Sequence, residues 1–150
     1  MKASVLLLLA GLAGCASSGP PAPPLAADLH LVENGFQEKG GIFPVVGVLT
    51  LKITPEGEAT SICRRELLTD IERRRDLSES ERWELHTKVE AWAAKAGPET
   101  APAGKVWGML TYGAHQVRWQ KGDSLTPELT ELLQYLRILV LSLNEVRKRG

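Results

Sequence analysis

Cysteine is scarce in this sequence, two in 150 residues, which excludes a disulfide-knit scaffold. Histidine is nearly as thin. His30, His86 and His115 each stand without a partner at a ligand spacing such as i, i+4, so no metal site is expected. Neither charge is in surplus: 18 Lys plus Arg face 18 Asp plus Glu, leaving no long-range attraction for nucleic acid. Arg64-Arg65 and Arg73-Arg74-Arg75 are short basic runs with Glu66, Asp70, Glu72 and Asp76 beside them, the pattern of a mutually paired surface. Gly40-Gly41 lacks the Lys and Ser/Thr of a phosphate-binding loop. Cys63 would need His115 or His30 beside it to act as a nucleophile, and no glycine elbow surrounds it; it reads as a small apolar packing residue. No catalytic residue and no cofactor are assigned, and no enzymatic activity is expected.

What is present begins with an address. Met1 and Lys2 precede an uncharged run, Ala3 to Gly14, that contains Leu6 to Leu9. As a helix it would reach roughly 18 Å, too short for a hydrocarbon core of about 30 Å. A charged start, a short apolar run and small residues after it make a secretory signal. Its end, Leu12-Ala13-Gly14-Cys15, resembles the lipobox of bacterial lipoproteins. The resemblance implies cleavage between Gly14 and Cys15 and acyl chains on Cys15. Two or three chains hold a protein at a bilayer, at about 0.8 kcal/mol per buried CH₂. The membrane is therefore the first partner expected, and the expected location is the bacterial cell envelope. Ala16, a non-acidic residue, implies onward passage to the outer membrane where there are two membranes. Losing Lys2 leaves the mature chain about one charge negative.

Three segments follow from this: a signal peptide at 1–14, a lipidated Cys with a Pro/Ala-rich tether at 15–28, and a single α+β domain at 29–150. Ala16 to Ala27 reads ASSGPPAPPLAA, a composition that favours extended backbone and predicts a spacer of up to roughly 40 Å. Beyond it, Leu29 to Glu33 alternates as a short strand, with a loop over Asn34 to Gly41. Val45 to Thr54 alternates as a long strand, placing Leu49, Leu51 and Ile53 on one face and Val46 and Val48 on the other. Pro55-Glu56-Gly57 is a turn, and Ala59 to Arg64 returns antiparallel. Arg65 to Asp76 fits either a helical face through Leu67, Leu68 and Ile71 or a further strand.

Ser78 and Glu81 match the capping-box spacing, and Gly97-Pro98 stops the helix they open. Pro98 to Gly104 reads as loop. Val106 to Gln120 reads as a hairpin around Gly113-Ala114, a register that opposes Gly108 with Trp119. Thr126-Pro127-Glu128 opens a last helix whose stripe runs from Leu129 to Leu143, with Arg147-Lys148-Arg149 at its negative end. Ile138 and Leu141 fall outside that stripe, as a weak second patch or a contact with a neighbouring element. Together these elements predict an α+β fold: an antiparallel sheet of about five strands with two or three helices packed on one face.

The other face of the hairpin carries Trp107, Met109 and Arg118, and Val46 and Val48 extend it. Trp and Arg dominate interface hot spots, so these five residues form the candidate partner surface. The competing account is an inner layer covered by Arg65 to Asp76. Gly40-Gly41-Ile42, Pro55-Glu56-Gly57, Leu77-Ser78, Tyr112, His115-Gln116-Val117, Trp119 and Leu125-Thr126-Pro127-Glu128-Leu129 follow one recurring order. That order is similar to the layout of emfourin-like proteins, inhibitors of protealysin, a thermolysin-type metalloprotease. The resemblance implies a compact α+β domain and a metalloprotease as partner. The chain departs from it in its lipid anchor and its long Val45–Thr54 strand, and no inhibitory residue is assigned. Two functions are carried forward: a membrane-anchored, non-catalytic binding or scaffold module of the envelope, and a protease inhibitor.

Overall fold

A computed structural model describes residues 19–38, 45–65, 69–97 and 105–145, with the backbone alone at 36–38, 45–46 and 144–145. The leader, Gly14, Cys15, Gly40-Gly41, Leu67-Leu68, the 98–104 loop and Arg147-Lys148-Arg149 lie outside the described residues.

The strands are β1 (Leu29–Glu38), β2 (Val45–Ile53), β3 (Glu58–Arg65), β4 (Ile71–Asp76), β5 (Gly108–Tyr112) and β6 (His115–Trp119). The helices are α1 (Glu79–Lys95) and α2 (Pro127–Glu145). All six strands form one antiparallel sheet in the order β4-β3-β2-β1-β5-β6. Both helices bury their stripes on one face of it. Leu85, Val89 and Trp92 of α1 meet Leu132, Leu133, Leu136 and Val140 of α2 above Leu29, Leu31, Leu49, Leu51, Ile53 and Leu110 of the strands. Period 2 in the strands and period 3.6 in the helices dictate those two apolar surfaces, and burying them supplies the main folding drive.

Local chemistry fixes the ends. Ser78 accepts from the Glu81 N–H at 3.2 Å while Glu81 accepts from the Ser78 N–H at 3.1 Å, completing a capping box. The hairpin closes in the expected register, with Tyr112 opposite His115, Leu110 opposite Val117 and Gly108 opposite Trp119. The Trp119 indole lies so close over Gly108 that a Cβ there would sit 2.2 Å from Cζ2.

Two expectations are corrected and one open alternative is resolved. First, Asn34 does not begin a loop. Gly35, at φ 73°, forms a bulge, and β1 resumes with Phe36 opposite Gly47. Second, of the two readings open for Arg65 to Asp76, Ile71 to Asp76 takes the strand, its backbone completing the ladder of β3. Third, the distal part of the stretch read as a spacer packs on the domain. Ala22 and Leu25 are buried. The Leu25 N–H donates to Pro55 O at 3.2 Å, the Ala26 N–H to Tyr112 Oη at 2.9 Å, and the Trp83 indole to Pro20 O at 3.0 Å. The Ala22 N–H donates to the Glu79 carboxylate. Prolines cannot donate to a ladder, but their carbonyls accept, so a Pro-rich segment can dock as a strap.

Candidate interaction face

Since the helices cover one side, the other side of the sheet belongs to the alternate residues of each strand. The pairing aligns them in rows. One row crosses from Glu72 through Ile62, Thr50, Val32 and Met109 to Arg118. Its centre is apolar and half-buried, and its two ends are charged. Gln116 leans across β5 and donates to Met109 Sδ at 2.9 Å. The next row holds Arg64, Val48 and Asn34, and beside it lies Trp107.

Here the bulge acts on the surface. Gly35 has no side chain, and the Trp107 ring occupies the space a Cβ would fill, 2.4 Å from Cη2. Asn34 is held by both ends of that contact: its N–H donates to Trp107 O at 2.8 Å, and its amide to Val106 O at 3.1 Å. Lys121 Nζ sits 5.1 Å from the Trp107 ring centre, a cation–π contact. The result is a cleft of about 630 Å³ bounded by Trp107, Val48, Asn34, Arg64, Asp70 and Lys105.

Of the five candidate partner residues, the structure brings Trp107 and Val48 to one cleft and sets Met109 and Arg118 opposite each other on the same face. Val46 lies in β2 at the same parity. Ile71 to Asp76 does not cover this face; it extends the sheet at its edge. Trp107 also packs against the edge of the hydrophobic core, so it is partly structural.

Cys63 and His115 are not brought together. Cys63 is buried on the helix side of β3, and four strand spacings, about 19 Å, separate β3 from β6. His115 instead lies edge-on to Trp92, with ring centres 6.1 Å apart, and His30 projects from the opposite face of the sheet to Cys63. Among the described residues there is no group of three His, Cys, Asp or Glu side chains placed to hold a metal. None of their helices is long and apolar enough to cross a membrane.

Two ion pairs were not foreseen. Glu33 is 8% exposed among leucines, and Arg137 of α2 grips both its oxygens. The signal was available: Glu33 shares the parity of Leu29 and Leu31. Arg75 of β4 reaches Glu81 with two bonds, 2.9 and 2.7 Å, and Ser142 Oγ at 2.7 Å, tying the first turn of α1 to the last turns of α2. The Arg75 hydrogen bonds hold the Glu81 carboxyl down at about 2, and they raise the guanidinium in turn. Burial pushes the Tyr112 and Tyr135 phenols up.

No known family model matches this chain, and no characterised protein matches it.

Proposed function

We propose that this protein is a bacterial envelope lipoprotein, held to its membrane by acyl chains on Cys15, whose work is to bind a protein partner rather than to catalyse a reaction. The observation that carries the binding reading is the sheet face that no described element covers. It has an apolar centre in Ile62, Val32, Met109 and Val48, a cleft walled by Trp107, and charged side chains at both margins. An apolar centre inside a polar rim is the anatomy of a protein interface.

The test places a photo-crosslinking residue at Met109 and, as a control, at Gln134 on the exposed side of α2, in the native envelope. An adduct from position 109 that Val32→Lys abolishes supports the reading. Equal yields from both positions, or capture indifferent to Val32→Lys, overturns it. The same protein is then mixed with a thermolysin-type protease. Stoichiometric inhibition lost in Val32→Lys would name the partner class, and full protease activity in excess protein would remove the inhibitor reading.

A further inference from the structure

The open face of the sheet matches itself when one copy is turned. Its central row runs Glu72, Ile62, Thr50, Val32, Met109, Arg118: an acid at one end, a base at the other, and apolar side chains set symmetrically between them. The row on one side of it runs Arg74, Thr60, Lys52, His30, Thr111, Gln116. The row on the other side holds Arg64, Val48 and Asn34, with Trp107 bonded to Asn34.

A two-fold axis parallel to the strands, midway between β2 and β1, lays a second copy on this face with its strand order reversed. Then β4 lies on β6, β3 on β5 and β2 on β1. In the central row Glu72 meets Arg118, Ile62 meets Met109 and Thr50 meets Val32, each contact made twice. In the flanking rows Thr60 meets Thr111, Arg74 meets Gln116, and the Arg64 guanidinium comes over the Trp107 ring. Lys52 falls on His30, and Asp28, 3.4 Å from Lys52, offsets that cation. An axis along the central row would instead set Glu72 on Glu72 and Arg118 on Arg118, like on like. Six strands at about 4.8 Å and about six residues at about 3.3 Å make a face of roughly 600 Å² before side-chain relief is counted. A standard interface takes about 800 Å² from each partner, so the face has the size a stable pair needs.

We propose that the partner of this face is a second copy of the same chain, packed sheet on sheet about the axis parallel to the strands. The inference rests on the binding reading above and names its partner. Sheets packed in this way keep their strands within about 30° of each other, about 10 Å apart. The axis also keeps both straps at one end of the pair. Pro55 and Tyr112, to which the strap is bonded, both lie at the end of the sheet where β1 begins. On the lipid-anchor reading, two chains held in one bilayer require that arrangement.

The test uses the full chain in its host, in a Cys63→Ser background, as two differently tagged copies. One carries Ile62→Cys and the other Met109→Cys, and a short bis-maleimide is added to intact cells; copies without an added cysteine set the background. The mixed 62–109 adduct should exceed the 62–62 and 109–109 adducts several-fold, because the like pairs are offset across the axis by three strand spacings, about 14 Å. Glu72→Arg alone, or Arg118→Glu alone, should cut the mixed adduct several-fold, and the two changes together should restore it. Within one chain the two residues stand five spacings apart, about 24 Å, so rescue passes only between copies. Equal yields of the three adducts, or no rescue in the double variant, would overturn the pairing. If the photo-adduct from position 109 then contains another protein and is still lost in Val32→Lys, the binding reading stands without it. No adduct that depends on Val32 removes both.

Discussion

Replacing Gly108 with Ala tests the hairpin at its tightest point. The new Cβ would lie 2.2 Å from Cζ2, 2.3 Å from Cε2 and 2.7 Å from Nε1 of Trp119, all rigid ring atoms. The ring cannot swing aside, because Trp119 is 3% exposed and packed in the core cluster. Overpacking a tight site costs about 1–3 kcal/mol, and contact with a fixed ring puts this one near the top, about 2–3 kcal/mol. Trp119→Leu alone leaves a cavity and costs about 3 kcal/mol, toward the low end for losing a buried Trp. Joined in one chain, the two changes should cost less than their sum by about 1.5 kcal/mol or more, since the smaller side chain vacates the space that the new methyl needs. Urea unfolding with an unchanged m-value measures all four corners of the cycle. A Gly108→Ala variant within about 0.5 kcal/mol of the parent, or strictly additive costs, would refute the claim that the indole and the glycine are fitted to each other.

Two further outcomes follow from the ion pairs. Arg137→Met should destabilise the domain by about 3 kcal/mol or more, because Glu33 is left as a buried charge without its partner, and adding Glu33→Gln should recover part of the loss; denaturant midpoints check both. Glu81 has its carboxyl depressed in the folded state, so its contribution is present above the ordinary value of 4.5 and fades as pH falls toward about 2. Glu81→Gln should therefore flatten the stability-against-pH curve between those values. Solvent at this partly exposed pair limits the change to about 1 kcal/mol, and an undiminished slope in the variant would assign the acid sensitivity elsewhere.

How far the sequence speaks depends on where each signal sits. The α1 cap was legible because Ser78 and Glu81 are three residues apart and act on each other. The hairpin was legible because one glycine turn fixes every opposite pair, down to Trp119 on Gly108. β4 was not. Its sequence, IERRRD, is charged on both parities, and what settles Arg75 is Glu81 and Ser142, the latter 67 residues away. Asn34-Gly35 carries a turn signature that a bulge satisfies equally well, and only the ladder to Gly47 decides between them. The strap reads as a spacer by composition; one leucine, Leu25, is its apolar clue. On the candidate interaction face the parity of Trp107, Met109 and Arg118 was legible, but the cleft was not, since it depends on Gly35 from another strand receiving the Trp107 ring.

On the proposed lipid anchor, which would confine copies to two dimensions, the charged sequence of β4 has a consequence. An open sheet ends in unpaired backbone groups, and copies crowded on a surface meet edge to edge far more often than copies in bulk water. β4 is an edge strand of six residues, five of them ionised, with Arg73 and Arg75 on the helix side and Glu72, Arg74 and Asp76 on the other. A second strand laid against it would have to strip water from those charges. Charges along this edge therefore oppose the pairing of neighbouring copies through β4.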